Sequence, residues 1–143
     1  MSINAGKTGR PRRIWDAAGW FGAQIGSTGW IAICALLLSR HDPDISWIVL
    51  GIFLAANAVG GGLWFVQQRI PLLLGLRILV AIAGAAGMLA VGTIDLGGQW
   101  SVVANIGGHI EPVQMYALIP LGTLALLGLF WSIDRSRRQV EPG

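Results

Sequence analysis

Five polar side chains stand inside otherwise apolar stretches of the chain: Gln24, Ser27 and Thr28 in the first, Asn57 in the second and Arg77 in the third. Amides and hydroxyls exchange hydrogen bonds without titrating near neutral pH, and an arginine keeps its charge. Such a stripe either ties apolar helices together or lines a path for a small neutral solute. It offers no pair of carboxylates for proton transfer. The remaining groups with chemical potential lie between the apolar stretches: His41 with Asp42 and Asp44, Asp95, and His109 with Glu111. Neither histidine has the spacing of a helical ligand pair, so these read as solvated turn residues and no metal is expected.

Nucleophilic chemistry is equally thin. Cys34 is the single cysteine, which excludes an intrachain disulfide or a thiol pair, and it reads as a small packing residue. No Ser, Cys or His arrangement resembles a nucleophilic site. Gly6, Lys7 and Thr8 imitate the end of a phosphate-binding loop, but the required earlier glycine falls on Met1 and no strand precedes it. The expectation is a non-enzyme without a cofactor.

The elements that position these residues are long and apolar. Of 143 residues 54% are hydrophobic and 12% charged, with mean hydropathy +0.64. Soluble domains carry about 25% charged residues, so the composition points to a membrane protein. Residues 15–38 alone exceed the roughly 20 apolar residues needed to cross a bilayer. This span is too long for a signal peptide and lacks a small-x-small exit site, so it is expected to remain in the mature protein.

At 100° per residue the first span has two unlike faces. Gly19, Gly22, Gly26 and Gly29 share one narrow sector, with Gly22 and Gly26 forming a GxxxG pair; Trp20, Gln24, Ser27 and Thr28 lie nearly opposite. The glycine face admits either another helix of this chain or a second copy of the protein. The polar face calls for a partner that also carries polar groups.

Three further spans are expected at about residues 45–66, 72–93 and 113–133. Asp44 reads as the N-cap of the second, and Pro71 and Pro112 suit the first turns of the third and fourth. Asn57 sits near the middle of the second span, on a face with Leu50, Phe53, Gly60, Gly61 and Trp64, and the stripe around Gln24 is its simplest partner. Arg77 lies about 8 Å inside the third span. It either snorkels to the headgroups or turns inward over Ala81 and Gly84 to pair with Asp16 or Asp134. Pro120 should kink the fourth span. Between Asp95 and Glu111 the stretch QWSVVANI, rich in strand formers, is expected to lie at the interface or to fold as a small lid.

Together these give an all-α, four-helix transmembrane bundle over residues 14–134. It has a short extracytoplasmic loop between helices 3 and 4, a flexible basic tail at 1–13 and another at 135–143. Lys7, Arg10, Arg12, Arg13, Arg135, Arg137 and Arg138 flank the outermost spans, and basic residues also occupy the second connection. That bias places both termini in the cytoplasm of a multi-pass protein of a bacterial-type cytoplasmic membrane. Although the net charge is +3 and the pI about 10.0, this distribution points to anionic lipid headgroups rather than nucleic acid. The chain is similar to small multidrug transporters and fluoride channels only in helix count and length. Gln24, which cannot titrate, is what the first helix offers where the former embed a glutamate, and the one-sided basic bias departs from the opposed orientations of the latter. The expected role is a structural or accessory subunit, as a homo-oligomer or beside a larger membrane protein. The alternative is a small homo-oligomeric transporter or channel for a neutral or weakly polar solute.

Overall fold

The computed structural model describes the backbone of residues 17–66, 69–105 and 109–140, and the side chains of these except Leu72 and residues 137–140. The described residues form helices α1 (Ala17–Leu38), α2 (Pro43–Val66), α3 (Leu72–Leu96), α4 (Trp100–Ala104) and α5 (Pro112–Val140), and no strand. All but α4 are long and apolar enough to cross a membrane. The basic segment 1–13 and Asp16 lie outside the described residues.

Local chemistry sets the helix starts. The Asp42 carboxylate accepts the Ile45 N–H at 3.1 Å, so Asp42, not Asp44, is the N-cap of α2, and Pro43 takes the first helical position, where its missing N–H does no harm. At α5 the Gln114 side chain reaches back to accept the Glu111 N–H at 3.0 Å, the return half of a capping box. Pro71 stands one place before α3. Two helix ends lie beyond the apolar limits: α3 continues to Leu96, and α5 continues past Ile133 through the basic segment to Val140, so residues 135–140 are helix rather than tail. Pro120 lies inside α5, and the helix runs on past it.

α3 is the central element. It packs against α1 and α2 on one side and against α5 on the other, while α1 and α2 form the closest pair. The buried residues of α1 are Trp20, Gln24, Thr28, Ile31, Ala35 and Leu38, and their spacings of three or four residues keep one stripe on a neighbour. α2 answers with small residues, burying Ser46, Val49, Ala56 and Gly60. The Ser46 hydroxyl donates to the Ala35 carbonyl at 2.7 Å.

Apolar packing falls into two clusters on either side of the polar residues. One gathers Ile31, Ala35, Leu38, Val49, Ala86, Ala90 and Ile94 with Val103 of α4. The other gathers Trp20, Leu76 and Leu79, flanked by Phe21, Leu63, Trp64 and Phe130. Among its described residues the 95–111 connection forms no strand. Its Val-rich centre forms the single turn and more of α4, held on α1 by Val103, while the Trp100 indole donates to the Ile110 carbonyl at 2.9 Å. Gln99 reaches Asp42 at 3.4 Å, joining this connection to the α1–α2 turn.

Candidate functional site

The polar residues of α1 and α2 meet between the two apolar clusters. Gln24 is 2% exposed, and its Nε2 donates to the Asn57 carbonyl at 2.7 Å and to Asn57 Oδ1 at 3.1 Å. Asn57 Nδ2 donates to Thr28 Oγ1 at 3.1 Å and to the Phe53 carbonyl at 2.8 Å. The Thr28 hydroxyl donates to the Gln24 carbonyl at 2.8 Å, which closes a ring of three residues across the helix pair. Geometry fixes the Gln24 amide, because the reverse orientation would set its oxygen against the Asn57 carbonyl at 2.7 Å. One acceptor, Gln24 Oε1, is buried without a partner among the described residues.

Two residues that the sequence places on these faces, Trp20 beside Gln24 and Gly60 beside Asn57, seat this ring. A Cβ at Gly60 would collide with the Gln24 amide, so only glycine lets the glutamine lie flat on α2. The fully buried Trp20 donates its indole N–H to the Gly60 carbonyl at 3.2 Å. In the sequence Gly60 is the first of three adjacent glycines, and nothing there marks it as the seat.

Ser27, expected on the same stripe, does not join. It is exposed, and its hydroxyl turns back to the Gln24 carbonyl at 2.9 Å. The expectation that another helix of this chain lies on the α1 glycines is also corrected. Gly22 and Gly26 are exposed, and a Cβ on either would meet nothing within 4 Å, while one on Gly29 would touch only Ile25 of its own helix. Gly19 is half-buried. The cause is that Trp20, Gln24 and Thr28 need specific partners, which turns their face to α2 and the glycines outward.

A second polar group joins α3 to α5. Arg77 turns inward: its Nη2 donates to the Phe130 carbonyl at 3.2 Å and lies 3.4 Å from Asp134 Oδ2, each side chain being about one-quarter exposed (27% and 26%). Gly84 lets α5 approach, since a Cβ there would strike Thr123; Ala81 is exposed and takes no part. At the opposite end of the same helix pair the Tyr116 hydroxyl donates to Asp95 at 3.1 Å. α5, among whose described residues no apolar side chain is fully buried, is thus fastened to α3 by a polar contact near each end. Replacing Arg77 by Gln should lower the stability of purified protein by about 1 kcal/mol, the scale of a partly exposed ion pair. An unchanged denaturation midpoint would remove the Asp134 contact from the account.

The turn residues do not converge. Among the described residues no three His, Cys, Asp or Glu side chains gather where a metal ion would sit. Asp42 is engaged as a cap and Asp95 by Tyr116, His41 lies 3.3 Å from the Leu37 carbonyl, and His109 and Glu111 are exposed. Cys34 is half-buried and lines a small apolar recess between α1, α4 and the start of α5. The α1–α2 ring supplies neutral hydrogen-bonding groups, and the charged groups Arg77, Asp134 and Asp95 are engaged between α3 and α5. Neither the sequence nor the fold matches a known protein family, a curated protein or a solved structure.

Proposed function

We propose that the chain is a small, non-enzymatic, multi-pass membrane protein, a structural or accessory subunit that assembles with itself or with a larger membrane protein. Membrane insertion is supported by what the helices expose. Leu36, Phe65 and Leu96 are 73%, 82% and 90% exposed, in company with many other large apolar side chains. Water would not tolerate so continuous an apolar surface, whereas hydrocarbon does. Four spanning helices would bring the outer ends of the first and last spans to one side, and the basic residues there support a cytoplasmic orientation. A C-terminal reporter active only outside the cytoplasm would contradict this orientation.

The observation that carries the subunit reading is the division of α1. The Gln24 amide nitrogen and the Thr28 hydroxyl bond within the chain, while Gly22 and Gly26 are exposed and a Cβ added to either would meet nothing within 4 Å. In hydrocarbon such a face binds by close van der Waals packing rather than by apolar burial. Gly26→Leu should abolish assembly of the extracted protein, read by native mass spectrometry, and leave its melting temperature unchanged. Assembly that survives Gly26→Leu and Gly22→Leu would sink the assignment of this face.

The transport reading is favoured by one feature, the unpartnered acceptor Gln24 Oε1. It requires that solute flux into proteoliposomes disappear in Asn57→Leu. The subunit reading expects no flux in either protein and a loss of about 1 kcal/mol of stability in the variant, the scale of an interhelical hydrogen bond.

A further inference from the structure

α5 is held unevenly along its length. Before Pro120 it has neighbours on three helices. Tyr116 bonds Asp95 of α3, Ile119 and Trp30 of α1 both reach the place a Gly87 side chain would take, and Met115 lines the recess formed with Cys34 of α1 and Val103 of α4. After Pro120 the contacts are fewer. Thr123 sits over Gly84, Phe130 is half-buried beside the cluster of Trp20, Leu76 and Leu79, and Arg77 binds the Phe130 carbonyl and Asp134.

The two halves meet where the helix is weakest. Pro120 has no N–H to give the Tyr116 carbonyl, and its ring crowds that turn. Thr123 turns its hydroxyl back to the Ile119 carbonyl at 2.8 Å, a bond that competes with the helical ladder and favours a bend. Gly122 between them is exposed, with nothing within 4 Å of an added Cβ, and contributes no side chain to stiffen the turn.

Hydrocarbon does not press the second half onto α3, because lipid tails are as apolar as the groups they would replace. What holds it is packing along one stripe and one partly exposed ion pair. We infer that residues 121–136 form a hinged arm, which swings away from α3 about residues 120–123 and is latched shut by Arg77 on the Phe130 carbonyl and Asp134. The open arm keeps its own backbone bonds, so it stays helical in the bilayer. Opening uncovers Gly84 and widens the cleft between α1, α3 and α5 at its Phe130 end. The inference rests on the membrane-spanning reading and is independent of what the protein assembles with.

The test is pulsed electron paramagnetic resonance on the full chain in liposomes, in a Cys34→Ser background because Cys34 is the single cysteine. Nitroxides on Val66→Cys and Ser132→Cys, both exposed positions, join α2 to the arm; a pair on Asp44→Cys and Val113→Cys joins α2 to the fixed end of α5. The first pair should give two distances, closed and longer open, and the second pair one. Arg77→Gln should raise the ratio of open to closed about fivefold, the scale of one partly exposed ion pair, and leave the second pair unchanged. Adding Pro120→Ala, which restores the missing donor, should cancel most of that gain. A single distance for the first pair with and without Arg77→Gln, a gain undiminished by Pro120→Ala, or equal broadening of both pairs would each overturn the inference. Failure of the protein to float with the liposomes in a density gradient would overturn the membrane-spanning reading beneath it as well.

Discussion

Trp20→Ala is expected to lower the unfolding free energy by about 3–5 kcal/mol, the range for removing a fully buried tryptophan. The side chain is 0% exposed, touches the Trp64 ring with centroids 6.2 Å apart, and is packed beside Leu76 and Leu79. It therefore fills the junction of α1, α2 and α3 near the end where α1 begins. Hydrocarbon outside the protein does not reduce this penalty, because what is lost is close packing and a cavity remains. The Gly60 carbonyl would also lose its indole donor. The check is a reversible denaturant titration in mixed micelles, with Trp20→Phe separating packing from hydrogen bonding. Phe should recover most of the loss. A Trp20→Ala protein within about 1 kcal/mol of wild type would mean that α1 does not pack as described.

Gly60→Ala carries the second large effect, and it is specific to one neighbour. The added methyl group collides with the Gln24 amide, and overpacking of this kind costs about 1–3 kcal/mol. Shortening the glutamine makes room again, so Gln24→Ala/Gly60→Ala should be more stable than the sum of the two single variants predicts. A coupling of about 1 kcal/mol or more is expected for side chains in contact. Strict additivity would show that α1 and α2 meet elsewhere. Gly61→Ala, one residue away in open space, serves as the control and should be stable.

The fold is legible in the sequence where physical demand is strong. Asn57 stands at the middle of an apolar span, and an amide at that depth must find a donor or acceptor; Gln24 is the obvious one, and its Nε2 lies 3.1 Å from Asn57 Oδ1. Legibility fails where a residue permits a contact without requiring it. The α1 glycines allow close approach of a neighbour, but they exert no pull on one. Trp20, Gln24 and Thr28 do, and they decide which face α2 covers. Arg77 is intermediate: its two alternatives are balanced in sequence, and the Phe130 carbonyl that helps to hold it is a backbone group that no sequence pattern displays.

Boundaries follow the same logic. Hydropathy marks where apolar residues stop, which is not where a helix stops, so α5 continues through Asp134 and Arg135 to Val140. Asp42 and Asp44 flank Pro43 and either could cap by composition; proline at the first helical position selects Asp42. In α4 the strand preference of adjacent valines is too weak to prevail over burial of Val103 and the Trp100 bond to Ile110.

The central claim, a membrane subunit that assembles through the outer face of α1, is tested most directly by native mass spectrometry of the protein extracted gently from its own membranes. The account predicts a complex, with a second copy or with a larger membrane protein, that Gly26→Leu dissolves into folded monomers. A wild-type protein that is monomeric at every concentration, or a complex indifferent to Gly26→Leu, would contradict it.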